Sequence, residues 1–115
     1  MLIPSDSKIY LYSQPTDMRK SIDTLCIMVS EVLKMDPISG HLFLFRNRSG
    51  NKLKALYYEI NFTLWYRRLE KGRFIFQKNA EGIIEVSDEH FKWLLASDKY
   101  SRQDAMMASQ IANYC

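Results

Sequence analysis

The chain has little of what catalytic and disulfide-held proteins are built from. Its 115 residues contain two cysteines, two histidines, four glycines and three prolines. Cys26 and Cys115 do not make a disulfide framework, and two free thiols fit the cytosol. No Cys-x-x-Cys or His-x-x-x-His occurs, so a structural zinc site has no support. No Gly-x-Gly-x-x-Gly and no phosphate loop occurs, so no cofactor is expected. No apolar run approaches the roughly 20 residues that a membrane span needs. Met1-Leu2-Ile3-Pro4 lacks the basic start of a secretory signal, and a cytoplasmic location with no membrane partner is expected. The thirteen acids are scattered. Asp17 and Asp23 look like helix-start residues, Asp36 sits in a proline turn, and Asp88 and Glu89 begin a second helix. Two-metal phosphoryl transfer needs carboxylates that converge, and none of this spacing supplies them, so the chain is not expected to be an enzyme.

What is abundant is positive charge and aromatic surface, concentrated in one third of the chain. Arg46, Arg48, Lys52, Lys54, Arg67, Arg68, Lys71 and Arg73 are opposed there by Glu59 and Glu70 alone, a local charge of about +6 against +3 for the whole chain. Residues 43–76 also carry nine of the fifteen aromatic rings. Cations that attract phosphate, beside rings that can stack, are the ingredients of a nucleic-acid surface. They are equally the ingredients of a half-buried sheet with a solvated rim. Glu59 and Glu70 read as internal partners for arginine, and His41 as a hydrogen-bonded turn residue. Phe43, Phe45, Tyr57 and Trp65 read as core; Tyr58, Tyr66 and Phe74 are candidates for exposure beside the cations.

A length of 115 residues fits one domain, large enough to bury a core without staples. Residues 8–12 alternate as a short strand. Pro15-Thr16-Asp17 then opens a helix with Thr16 or Asp17 as N-cap, and Met18, Ile22, Leu25, Val29 and Val32 form its apolar stripe to about Leu33. Asp36-Pro37-Ile38-Ser39-Gly40 is a turn. Residues 41–47 and 52–59 read as a hairpin. Residues 62–69 fit helical spacing, but their composition favours a strand. Strands at 73–76 and 83–86 and a helix capped by Ser87 follow, leaving a 97–115 tail that could be helical. The expected architecture is a single α+β domain over residues 1–96: an antiparallel meander of four or five strands, with the amphipathic helix on one face.

Hairpin register decides where the cations go. With a three-residue loop at 49–51, Arg48 lies opposite Lys52 and Arg46 opposite Lys54, while Phe43 and Phe45 share the other face with Leu53 and Ala55. A one-residue slip would mix lysines with phenylalanines, which a single buried face resists. The expected register therefore gathers Arg46, Arg48, Lys52 and Lys54 at the hairpin tip to grip phosphates. Arg67, Arg68, Lys71 and Arg73 extend that surface.

Four blocks carry a resemblance: Pro15-Thr-Asp-Met-Arg-Lys-Ser-Ile-Asp23, Asp36-Pro-Ile-Ser-Gly-His-Leu-Phe-Leu-Phe-Arg-Asn-Arg48, Lys52-Leu-Lys-Ala-Leu-Tyr57 and Leu64-Trp-Tyr-Arg-Arg-Leu-Glu-Lys-Gly-Arg-Phe74. In this order and spacing, over roughly residues 8–96, the chain resembles the small TnpB accessory proteins of the IS-sixty-six family of bacterial insertion sequences. These are distinct from the RNA-guided nuclease of the same name. Relatives usually carry a glycine turn after the Tyr57-Tyr58 strand; here Glu59-Ile60-Asn61 lacks one, and Asn61 is the candidate for the left-handed position. The resemblance implies a non-catalytic accessory factor of transposition, with DNA and the element's own transposase as partners. The alternative is a protein-interaction module whose basic, aromatic surface docks an acidic patch on the transposase without touching DNA.

Overall fold

The computed structural model describes residues 6–74 and 82–96. Of the expected strand at 73–76, Arg73 and Phe74 are described and form no strand; the rest of it and the tail at 97–115 lie outside the described residues. In chain order the elements are β1 (Ile9–Tyr12), α1 (Ile22–Glu31), β2 (Leu42–Arg46), β3 (Lys52–Glu59), β4 (Asn61–Arg68), β5 (Ile83–Val86) and α2 (Asp88–Ala96). They build an α+β fold around one five-stranded sheet of order β4-β3-β2-β1-β5. The β2-β3-β4 run is an antiparallel meander, and β5 pairs antiparallel with β1. The exception is β1, which runs parallel to β2 with Ile9 beside Leu42 and Leu11 beside Leu44. A parallel pair needs a crossover, and α1 supplies it.

Both faces of the sheet are covered. Successive side chains of a strand point to opposite faces. On the first face Phe43, Phe45 and Leu56 are fully buried against Leu25 and Val29 of α1. On the second, Ile9, Leu11, Leu42, Leu44, Leu53, Ala55 and Val86 are buried with Phe91 and Leu94 of α2. Thus β2 is apolar on both sides, the mark of a central strand. Phe43 and Phe45 are core, as their composition implied, and Tyr57 and Trp65 are half-buried against it. Phe74 is core as well at 2% exposure, and does not stand free beside the cations.

The α1 stripe is shorter than its spacing predicts. The helix begins at Ile22 behind Ser21, and the residues before it form turns. Leu25 and Val29 are buried as expected, but Val32 falls at the C-cap and is 53% exposed. Lys34 turns left-handed at φ 57°, and the Met35 N–H returns to the Val29 carbonyl at 3.0 Å. In α2, by contrast, the Ser87 hydroxyl caps the helix as predicted, accepting from the His90 N–H at 3.1 Å. His41 is also a bonded turn residue: its Nδ1 accepts from the Lys8 N–H at 3.0 Å.

The glycine-free β3–β4 turn puts Ile60, not Asn61, at positive φ (67°). Glu59 pairs with Asn61, so Ile60 stands alone at the tip, 83% exposed. A β-branched residue in this region crowds its own carbonyl, at roughly 1–2 kcal/mol. Its side chain recovers little of that by burial. Ile60→Gly should therefore stabilise the fold by about 0.5–1 kcal/mol after the extra unfolded-state entropy of glycine is subtracted. Urea denaturation reads the difference, and a destabilised variant would mean that the Ile60 side chain makes a stabilising contact.

Candidate nucleic-acid interface

The cations are sorted by a loop one residue longer than expected. The β2–β3 connection is the four-residue Arg48–Asn51, closed by the Asn47 N–H on the Lys52 carbonyl at 3.2 Å. Asn47 organises it: its Oδ1 accepts from the Lys52 N–H (3.0 Å), and its Nδ2 donates to Asn51 Oδ1 (2.7 Å) and Ser49 Oγ (3.0 Å). Gly50 supplies the left-handed residue at φ 78°. The resulting register sets Phe45 opposite Lys54 and Arg46 opposite Leu53. Lys54 therefore shares the first face with the phenylalanines, and Arg46 lies on the second. The expected cluster of Arg46, Arg48, Lys52 and Lys54 on one hairpin face does not form. The slip is tolerated because both faces are buried and Lys54 reaches polar partners beyond Phe45.

Those partners are main-chain carbonyls. The Lys54 ammonium donates to Met18 O at 2.7 Å and Lys20 O at 2.6 Å, and sits 5.8 Å from the centre of the Tyr66 ring. Arg46 donates to Ser13 O at 2.5 Å, while its own carbonyl accepts from the Thr16 N–H at 2.7 Å. Burial draws its guanidinium below the usual pKa. Both side chains hold the 13–21 segment against the end of the sheet. They are tethers, engaged with main-chain carbonyls, whereas the sequence pattern assigns them to phosphates.

The remaining cations converge at that same end. It gathers the C-terminal ends of β1, β2 and β4 and the start of β3. Lys52 pairs directly opposite Arg68, a like-charged pair that is unfavourable in a sheet. Arg68 meets Glu70 at 3.1 Å in an exposed ion pair, worth little against solvent. Arg67 falls on the second face, opposite Leu53, and is half-buried. Residues 69–74 fold back over the hairpin loop, with the Leu69 N–H on Asn51 O (2.8 Å) and the Phe74 N–H on Gly50 O (2.7 Å). A Cβ on Gly50 would lie 3.4 Å from the Arg73 side chain, so Arg73 is carried, exposed, against the hairpin loop that holds Arg48, and Lys71 is exposed two residues before it. Among the described residues the side chains of Arg48, Lys52, Lys71 and Arg73 make no hydrogen bond or ion pair.

An open cleft of about 820 Å³ lies at this end, between the 15–19 segment, the hairpin loop and Tyr66. Arg48, Lys52 and Arg19 line it, with Asp17 as the acid among them. Arg19 grips Asp17 through Nε and Nη2 at 2.7–3.1 Å, and its backbone N–H adds a bond at 2.9 Å. Arg19 was not singled out in the sequence, because its approach to Arg48 depends on the crossover. Thr16 is 5% exposed, with a hydroxyl that has no partner among the described residues. No three His, Cys, Asp or Glu residues group as a metal site among the described residues, and no described helix is long and apolar enough to cross a membrane.

The Arg19 hydrogen bonds hold the Asp17 carboxyl down at about 2, against an ordinary 3.8. A depressed pKa favours the folded state above the unfolded value. That contribution is lost as pH falls from about 3.8 through 2. Carboxyl carbon NMR should find the Asp17 midpoint near 2, and Arg19→Ala should return it toward 3.8. Midpoints equal in the two proteins would show that the pair does not form in solution. Lys54→Met keeps the stem and removes the ammonium, leaving two carbonyls without their donor. It should cost about 2–4 kcal/mol in chemical denaturation. A silent Lys54→Met would mean that the 13–21 segment is held by other contacts.

Comparison with known proteins agrees with the resemblance noted in the sequence. The family model described as IS66 Orf2-like protein matches residues 7–105, reaching beyond the 8–96 segment that carried the resemblance. Two proteins of Sinorhizobium fredii (strain NBRC 101917 / NGR234) are similar. Uncharacterized protein y4hO is 35% identical over 98 residues, covering 83% of this chain and 85% of that protein. Uncharacterized protein y4jC is 32% identical over 99 residues, covering 83% of this chain and 82% of that protein. No solved structure matches.

Proposed function

The chain belongs to the IS66 Orf2-like family of insertion-sequence accessory proteins, and from that premise we propose that it binds DNA through the basic end of its sheet while assisting the element's transposase. One observation carries the reading. Arg48, Lys52, Arg68, Lys71 and Arg73 are brought together from three segments, with Lys52 directly opposite Arg68. Like charges held together destabilise the free chain, and a polyanion relieves them. Arg67 adds charge from the second face, while Arg46 and Lys54 support the surface as tethers. The protein acts in the cytoplasm without catalysing strand cleavage, and its partner transposase supplies the chemistry. Phosphate contacts dominate such a surface, so sequence preference is weak.

If about five cations meet phosphates, log K for duplex DNA should fall against log salt with a slope of roughly −4 to −5. Fluorescence anisotropy at several salt concentrations measures it. Arg48→Ala with Arg73→Ala should reduce the magnitude of the slope by about two units. Absence of binding to DNA of either form, duplex or single-stranded, at about 50 mM salt, or binding insensitive to salt, would instead favour direct docking on the transposase. A pull-down with the transposase, with and without the element's terminal DNA, would then locate the partner.

A further inference from the structure

We propose that the cleft takes unpaired nucleotides, so that the DNA bound is single-stranded and one base stacks on Tyr66. The inference rests on the DNA-binding reading and specifies its ligand.

Three observations lead to it. The first is that the described residues hold no protruding cationic element. In α1 the charged residues are Asp23 and Glu31, with no cation. In α2 Lys92 stands against Asp88 and Glu89. Neither is a helix that a duplex would accept into its major groove, where arginine and lysine dominate recognition. The cationic β2–β3 hairpin lies inside the sheet, with β1 and β4 on its flanks and residues 69–74 across its loop. It cannot project as a ribbon into a groove.

The second is the concave shape of the basic end. The cleft, about 820 Å³ and open to solvent on one side, is large enough to seat a nucleotide unit. Arg48 and Lys52 line the cleft with side chains that are unbonded among the described residues, so both are available to phosphates.

The third is the ring in its wall. Tyr66 is 47% exposed, one of few large apolar side chains left so open among the described residues. The Lys54 ammonium, itself anchored on two carbonyls, lies 5.8 Å from the ring centre. A partly exposed ring beside free cations is the combination that binds single strands: a basic track for the backbone and a platform for a base. Within a duplex both faces of every base are already stacked, and the ring has nothing to receive. Unpaired nucleotides offer that face.

Anisotropy at about 50 mM salt with a labelled mixed-sequence single strand, the duplex of the same sequence and the matching RNA tests this directly. The single-stranded DNA should bind at least fivefold tighter than the duplex. Tyr66→Ala should weaken single-strand binding by about five- to a hundredfold and leave duplex binding unchanged, while Tyr66→Phe keeps both. A 2-aminopurine base in the single strand should lose emission on binding the wild-type protein, a readout independent of how any variant folds. Duplex binding equal to or tighter than single-strand binding, with unchanged 2-aminopurine emission, would overturn the proposal and leave the DNA-binding reading intact. RNA binding tighter than DNA would overturn the assignment of DNA. No binding to any of the three would remove both readings.

Discussion

A lysine ammonium held by two main-chain carbonyls organises the end of this molecule where its charge collects. Lys54 lies on the face shared with Phe45, where an unpaired charge would be costly. Its bonds to Met18 O and Lys20 O satisfy it and fix the 13–21 segment at the same time. From the second face Arg46 takes hold of the same segment at Ser13. Met18 O and Lys20 O lie just ahead of Ile22, so the tethered segment leads directly into α1. The cleft follows, because the tethered segment stands as one wall opposite the hairpin loop.

The rest of the surface is limited by the closing of both sheet faces. Helices cover each side, so the sheet offers its ends and edges to a partner. The two ends differ in character. One carries Arg48, Lys52, Arg68, Lys71 and Arg73; the other carries the Glu59-Ile60-Asn61 turn, with Ile60 largely exposed to solvent. Strain is placed at both. At the β3–β4 turn it is backbone strain in Ile60; at the basic end it is repulsion between Lys52 and Arg68.

Much of the framework was legible in local pattern. The strands at 52–59 and 83–86 were read with the bounds they have, because alternation and flanking turn residues are local signals. The ambiguous 62–69 segment is a strand at Asn61–Arg68, as its β-branched and aromatic content favoured. The pairing of β1 was not legible: a parallel neighbour more than thirty residues away leaves no periodic trace. Nor was the register. One extra loop residue reverses every side chain, and the hydrophobic pattern could not exclude it, because β2 is apolar on both faces.

The sequence by itself determined the α+β class, the concentration of positive charge in residues 46–73, the aromatic core of Phe43 and Phe45, and the Ser87 cap. Each depends on neighbours a few residues apart, or on simple composition. Tertiary structure alone decided which cations are free. Lys54 and Arg46 find their carbonyls across 33 to 36 residues of chain. Every residue offers such a carbonyl, so nothing in the identity of Met18, Lys20 or Ser13 marks it as a partner. Only the fold, by bringing one carbonyl and not another within reach, separates a structural cation from one left for a ligand.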